Sequence, residues 1–262
     1  MDTNLGVLEA HGLIKRFAGI KVLHGVSLEV APGEVVAYLG PNGSGKTVTT
    51  RLLTGLLEPN EGTITYGKRN IHADLVGFRM ELGYVPEEPH LYPFLSGREY
   101  LQLVGRLRGL EESFLEQKLM DLLTLFGIAE AADKSLSEYS KGMKQKVLIS
   151  AALLHDPALL IFDEPESGLD VTSIHVLRHL VRLLAARGKA ILYSSHVLES
   201  VEKICDRVIV IQHGRVLADD RLGRLGAATG TRSLADTFAH LVFKDDPLAT
   251  ARAIVEVAGR RP

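Results

Sequence analysis

The chain has 262 residues, 46% hydrophobic and 24% charged, with a net charge of −2: room for one large domain or two small ones around an ample core. That balanced charge lacks the basic footprint of general nucleic-acid binding, so no nucleic-acid partner is expected. The single cysteine, Cys205, excludes an intramolecular disulfide, and no apolar stretch approaches the roughly 20 residues of a membrane span.

In chain order, the start "MDTNLGVLEAHG" has no basic beginning and no long apolar run, so no signal peptide is expected. "EVVAYL" (Glu34 to Leu39) reads as a buried strand, and "KTVTTRLLTGLL" has helical apolar spacing. "GTITYG" and "LGYVP" read as short strands. From Ser96 the character changes. Ser96 and Glu99 form a capping box at the head of "SGREYLQLVGRLRGL". "EESFLEQKLMDLLTLFG" is an amphipathic helix stopped by Gly127. Strands return in "ALLIFDEP" and "KAILYSS", separated by a long helix, "VTSIHVLRHLVRLLAARG". Its arginines, Arg178 to Arg187, are expected on a solvated face. His175 and His179, at i, i+4 but without a third ligand, are expected as partly exposed helix residues rather than a metal pair. "RVIVIQHGRVLADD" reads as strand, His-Gly turn and strand; beyond Arg221, "SLADTFAHLVF" and "DPLATARAIVEVAG" read as two short helices. The alternation implies an α/β core with a mainly parallel sheet, interrupted by a helical insertion.

Four stretches carry chemistry. "GPNGSGKT", Gly40 to Thr47, matches the P-loop pattern. Glycines at 40, 43 and 45 admit backbone shapes that a Cβ would block, so successive N–H groups of Pro41-Asn42-Gly43-Ser44-Gly45 and the helix behind them can face one anion. Lys46 is placed to neutralise β- and γ-phosphate charge, and the Thr47 hydroxyl to ligate Mg²⁺. "ALLIFDEP" is a buried strand ending in two carboxylates: Asp163 for Mg²⁺, Glu164 as a general base that polarises the attacking water. "YSSH" ends a further strand in His196, within reach of a γ-phosphate and of Glu164. "LSEYSKGMKQK" opens a helix with a serine and a glycine at its mouth, a second shape fit for phosphate.

The set and its order, a P-loop, "YSKGM", "IFDEP", "SGLD" and "SSH", resemble the ATP-binding subunit of ATP-binding cassette (ABC) transporters over about Leu8 to Leu222. The resemblance implies a P-loop NTPase (RecA-like) core with an antiparallel β part and an inserted helical subdomain. The nucleotide-binding domain would span 1–222, with the helical subdomain at about 88–156, and 223–262 would form a short helical extension. It also implies a homodimer or heterodimer of nucleotide-binding subunits closing head to tail on two ATP and Mg²⁺. Each ATP would meet one chain's P-loop and the other's signature residues Ser140, Lys141, Gly142 and Met143. Phe17 would stack on adenine, Asp170 would lie in the loop at the dimer seam, and Glu87 would stand where the family usually has a metal-contacting glutamine. Val48 replaces the usual hydroxyl residue after Thr47. Lys141 and Met143 depart from the usual glycine and glutamine, and Lys141 would add positive charge toward the partner's nucleotide.

The "YSKGM" form is similar to the ATPase subunits of bacterial ABC-2-type exporters. A separate multi-span permease would then hold the chain at the cytoplasmic face of the cell membrane. "PHLYPFL" (Pro89 to Leu95) would be either part of the groove for the permease or a turn packed on the helical insertion. A soluble ABC ATPase that remodels a cytosolic partner, as in iron–sulfur assembly, is the alternative, and a nucleotide switch without turnover is a further one.

Overall fold

The computed structural model describes residues 6–230, 233–242 and 247–259. The chain opens with a long hairpin, β1 (Leu8–Phe17) and β2 (Ile20–Val30), followed by β3 (Val35–Leu39) and α1 (Lys46–Leu53). Next come β4 (Glu61–Tyr66), β5 (Arg69–Asn70), α2 (Leu75–Glu81) and β6 (Leu82–Val85). Three helices follow, α3 (Gly97–Leu107), α4 (Glu112–Leu125) and α5 (Lys141–Leu153). The chain then runs through β7 (Leu159–Asp163), α6 (Val171–Ala186), β8 (Ala190–Ser194) and α7 (Leu198–Ile204). It closes with β9 (Arg207–Gln212), β10 (Arg215–Arg221), α8 (Leu222–Thr229), α9 (Leu234–Val242) and α10 (Pro247–Ala258).

One sheet has the order β2-β1-β4-β5 and is antiparallel; the other runs β10-β9-β3-β8-β7-β6, with β9, β3, β8, β7 and β6 parallel and β10 antiparallel to β9. The parallel strands of the second sheet are apolar on both faces, as burial from both sides requires, whereas β10 at the edge alternates between exposed and half-buried residues. Alternation sorts them. Val35, Ala37 and Leu39 of β3 join a core with α5, α6, α7 and α9, whereas Val36 and Tyr38 face the antiparallel sheet and join Leu8, Leu13, Val26 and Ile64. A separate apolar cluster holds α3, α4 and α5 together through Leu101, Leu115, Leu119, Leu123 and Val147. Both halves of the Ser96–Glu99 capping box are formed, and Gly127 takes a left-handed φ of 69° where α4 ends.

All the parallel strands point the same way, so the ends of β3, β6, β7 and β8 open on one edge of the sheet. In such sheets the carboxyl edge is where loops can converge on a ligand.

Several features depart from the sequence reading. The first helix stops at Leu53, and Gly55 turns the chain at φ 67°. Helix α8 adds a third helix to the two that the sequence reading places in the extension after 222. Arg178 is not on a solvated face: its side chain is only 11% exposed and pairs with Glu166. His175 and His179 are exposed on α6. The stretch from Pro89 to Leu95 divides: Leu91 and Leu95 pack on the three-helix cluster, while Tyr92 and Phe94 stay exposed. Phe243 and Asp246, which bound the two predicted carboxy-terminal helices, and the end of the chain at 260–262 lie outside the described residues.

Candidate functional site

The turn from β3 into α1 builds an anion cradle from glycines. A Cβ at Gly40 would come within 2.3 Å of the Ile211 carbonyl oxygen. Gly43 and Gly45 have φ of 76° and 108°, the left-handed region that L side chains rarely adopt. The Ser44 N–H donates to the Pro41 carbonyl, and the Gly214 N–H in the β9–β10 turn donates to the Ser44 carbonyl, so a neighbouring strand pair braces the loop. Lys46 is buried at 8% exposure, and its Nζ donates to the Gly40 carbonyl at 2.7 Å. A buried ammonium held only by backbone carbonyls has much to gain from an anion. The residue after Thr47, Val48, rests its side chain against the core.

A cleft of about 650 Å³ opens over this loop, lined by Gly40 to Gly43, Gly45 to Val48, Val22, Glu87, Glu164, Ser195, His196, Leu198 and Phe238. That size suits a small molecule such as a nucleotide. Phe17 does not line it. It sits at the tip of the β1–β2 hairpin, 43% exposed, with Lys15 Nζ 5.3 Å from its ring centroid. Val22 on β2 and Phe238 on α9 supply the apolar lining instead, and sequence reasoning missed both.

At the end of β7, Asp163 is 1% exposed. Thr50 donates to its Oδ2 at 2.8 Å, while Oδ1 is buried without a hydrogen-bond partner. Burial pushes the Asp163 carboxyl above the ordinary carboxylate range, with the Thr50 hydrogen bond pulling the other way. Burial also raises the neighbouring Tyr84 hydroxyl to about 12, aided by the Asp163 charge, so the phenol stays protonated. Thr47 Oγ1 donates to Glu87 Oε2 at 3.4 Å, whereas Glu88 turns to His90. Thr47, Asp163 and Glu87 together offer hard oxygen donors, one of them an orphaned buried carboxylate oxygen. That donor set fits Mg²⁺.

Glu164 holds a left-handed backbone, φ 49°, which is uncommon for a residue with a Cβ. Its N–H donates to the Ser194 carbonyl at 3.0 Å, which pins the turn against β8. His196 Nδ1 donates to Glu164 Oε2 at 2.7 Å, and the His196 backbone N–H reaches the same oxygen at 3.3 Å. One carboxylate oxygen is thereby occupied, and Oε1 is left to accept a proton.

The second candidate cradle lies elsewhere. Ser140 caps α5, its Oγ accepting the Met143 N–H at 3.2 Å. Gly142 passes so close to the loop after β7 that a Cβ would come within 2.5 Å of the Gly168 carbonyl oxygen. Ser140, Gly142, Met143, Lys146, Gly168 and Asp170 line an open cleft that shares no residue with the cleft over Lys46. Asp170 caps α6; hydrogen bonds from the Ser173 hydroxyl and N–H pull its carboxyl down to about 2, with Lys146 nearby. Lys141 is exposed. A single chain therefore does not bring Ser140 to its own Lys46. Gln145, one turn into α5, donates to the Pro165 carbonyl at 3.2 Å and bolts this helix to the segment that carries Glu164.

Comparison with known families matches residues 23–167 to the ABC transporter family. The chain is 39% identical over 199 residues to the ABC transporter ATP-binding protein NatA of Bacillus subtilis (strain 168), covering 76% of this chain and 81% of that one. The chain belongs to the ABC transporter family. Within it this is an ATP-binding subunit, an ATPase cassette. Other similar ABC proteins are the linearmycin resistance ATP-binding protein LnrL of B. subtilis (strain 168), 34% identical over 85% of this chain and 73% of its own length, and the Nod factor export ATP-binding protein I of Rhizobium sp. (strain N33), 36% identical over 81% and 70%. Among solved structures, an ATP-binding subunit of an ABC transporter superposes with a TM-score of 0.84 at 35% identity, covering 90% of this chain and 99% of that one. A dimeric, post-hydrolysis ATP-binding cassette bound to ADP and Pi shares the fold, with a TM-score of 0.76 at 22% identity over 82% and 98%.

Proposed function

We propose that this chain is the ATP-hydrolysing subunit of a bacterial ABC-2-type exporter, docked on a separate multi-span permease at the cytoplasmic face of the membrane. Two nucleotide-binding subunits close head to tail on two ATP, and hydrolysis reopens them. One observation carries the reading: a complete phosphate cradle and a His196–Glu164 pair line one cleft, while the Ser140–Gly142 cradle opens into another. That division makes sense if each chain lends Ser140 to a partner's nucleotide. Relatives named for linearmycin resistance and for Nod factor export favour the outward direction.

In this mechanism Lys46 leaves the Gly40 carbonyl for the β- and γ-phosphates, and the loop N–H groups receive the remaining charge. Glu164 Oε1 takes the proton of the attacking water, an action worth about 10²–10⁴ in rate. His196 holds the other oxygen of Glu164 through Nδ1, which leaves Nε2 as the ring atom to meet the γ-phosphate. Ser140 and the amino terminus of α5 from the partner complete the stabilisation of the transferring group. Thr47, Asp163 and Glu87 would hold Mg²⁺, which when bound neutralises phosphate charge. The carboxylate of Glu87 strengthens that hold relative to an amide. Phe17, exposed at the tip of its hairpin, is free to swing onto the adenine. Tyr92 and Phe94 form the exposed part of the permease groove.

The test is a mild-detergent pull-down of the tagged chain from its native cell, read by mass spectrometry. A stoichiometric multi-span membrane protein is the expected companion. Soluble partners alone, equally abundant in the membrane-free fraction, would overturn the exporter reading in favour of a remodelling ATPase.

A further inference from the structure

Two residues beyond Glu164, a second carboxylate turns inward instead of toward the cleft. Glu166 is 8% exposed. It accepts hydrogen bonds from Tyr193 Oη at 3.0 Å, from Ser200 Oγ at 2.6 Å and from Arg178 Nε at 3.3 Å. Arg178 Nη2 also donates to Ser200 Oγ at 2.6 Å, which closes a ring of Glu166, Ser200 and Arg178 with Tyr193 bonded to the same carboxylate, and Arg178 Nη1 lies 3.8 Å from Glu199 at the surface. Burial, with the Glu166 charge second, raises the Tyr193 hydroxyl well above its ordinary value, so it acts as a donor throughout the working pH range.

The four members come from four different elements. Glu166 lies in the turn after β7, Tyr193 in β8, Arg178 in α6 and Ser200 in α7. Three of them flank the reacting pair. Glu166 follows Glu164 across Pro165, and His196 lies between Tyr193 and Ser200. Any movement of the β7 turn relative to the β8–α7 turn must therefore stretch this ring, and the same movement would part Glu164 from His196. A buried carboxylate with three donors tolerates little such movement, because leaving any donor unpaired in a low-dielectric interior is expensive.

We infer that Glu166 is a positioning residue for hydrolysis: through Tyr193, Ser200 and Arg178 it fixes the spacing and orientation of Glu164 and His196. The inference rests on the reading of Glu164 as general base. It assigns to the Glu166 ring the task of keeping the strained Glu164 backbone and the exposed His196 ring in register while nucleotide enters and leaves.

The experiment measures steady-state phosphate release, equilibrium ATP binding and thermal unfolding of the full chain for Glu166→Gln, Tyr193→Phe and the double variant Glu166→Gln with Arg178→Gln. Glu166→Gln should lower kcat by about tenfold to a hundredfold, the scale of a small misplacement at a reacting centre, with ATP affinity unchanged. Tyr193→Phe, which keeps its ring in the core, should lower kcat by a few fold in the same pattern. The double variant removes the arginine charge that has lost its buried carboxylate partner and should recover stability without recovering kcat. Recovery of kcat in step with stability, or a loss confined to ATP affinity, would overturn the proposal. Glu164→Gln is measured alongside. If that variant retains normal turnover, the general-base reading fails and this inference with it; if it is inactive while Glu166→Gln is normal, only the positioning role is lost.

Discussion

The two anion cradles of this chain are built to different standards, and under the proposed head-to-tail pairing that difference would let one subunit hold ATP yet not complete a site. The P-loop cradle is finished within the chain. Its lysine is buried, Gly40 and Gly45 are packed against Ile211 and Leu23, and the base that would act there is tethered beside it. The Ser140 cradle has the helix terminus and a serine, but Ser140 and Lys141 are exposed, and its cleft contains no residue of the P-loop. A buried ammonium confers affinity on its own; an exposed helix mouth adds to binding already secured elsewhere. In the proposed head-to-tail pair the first cradle would bind ATP and the second would report a partner's nucleotide.

That contrast can be broken at several points. Glu164→Gln should retain ATP and lose about 10²–10⁴ of turnover, and should accumulate as a closed dimer on gel filtration. Lys46→Ala should weaken ATP binding to the isolated chain by about tenfold to a hundredfold, from loss of a charge-assisted contact, as measured by calorimetry. Ser140→Ala should do the reverse, with single-chain affinity unchanged and phosphate release down by about tenfold, the scale of one lost hydrogen bond to a charged group. Val48→Thr supplies a hydroxyl beside the P-loop and should tighten ATP by about 0.5–1.5 kcal/mol; unchanged affinity would show that the backbone N–H already suffices.

The smallest effect concerns the joint between the cradles. His155, just beyond α5, and Arg108, just beyond α3, both reach the Leu82 carbonyl at the start of β6, at 3.1 and 3.2 Å. Burial, with Arg108 nearby, lowers the His155 imidazole to about 4. The unfolded chain then binds a proton that the folded chain refuses, so stability falls as pH drops from about 6.5 toward 4 and levels off below. His155→Gln should flatten that part of a urea-denaturation pH profile.

How much of this was legible in the sequence depended on the range of each interaction. The P-loop, the capping box at Ser96, the Gly127 stop and the carboxylates ending β7 are dictated by near neighbours, and short patterns reported them. The hairpin of β1 and β2 carries no clear strand pattern in the sequence, because bulges around Gly12 and Gly25 break the alternation that marks a strand. Helix α7 is too short for periodicity to mark. The Thr50–Asp163 bond spans 113 positions, and the Glu166 ring draws on four elements. Arg178 misled for the same reason: its leucine neighbours suggested an exposed arginine stripe, and only the packing of α6 against the β7 turn reveals a buried partner. Phe238 reaches the cleft because α9 docks on α7 and α8, with Gln212 Nε2 donating to the Val242 carbonyl, and nothing in the local sequence announces that docking.

The most direct test of a shared site is complementation. Lys46→Ala and Ser140→Ala chains, each impaired alone, are mixed and reassembled, and phosphate release is followed against either pure variant. In a head-to-tail pair, the Ser140→Ala chain supplies an intact P-loop and the Lys46→Ala chain supplies an intact Ser140, so one complete site forms per mixed dimer. Turnover well above both pure variants is the predicted result. Mixtures that never exceed the average of the two would mean that Lys46 and Ser140 must reside in one chain, contradicting the division of labour proposed here.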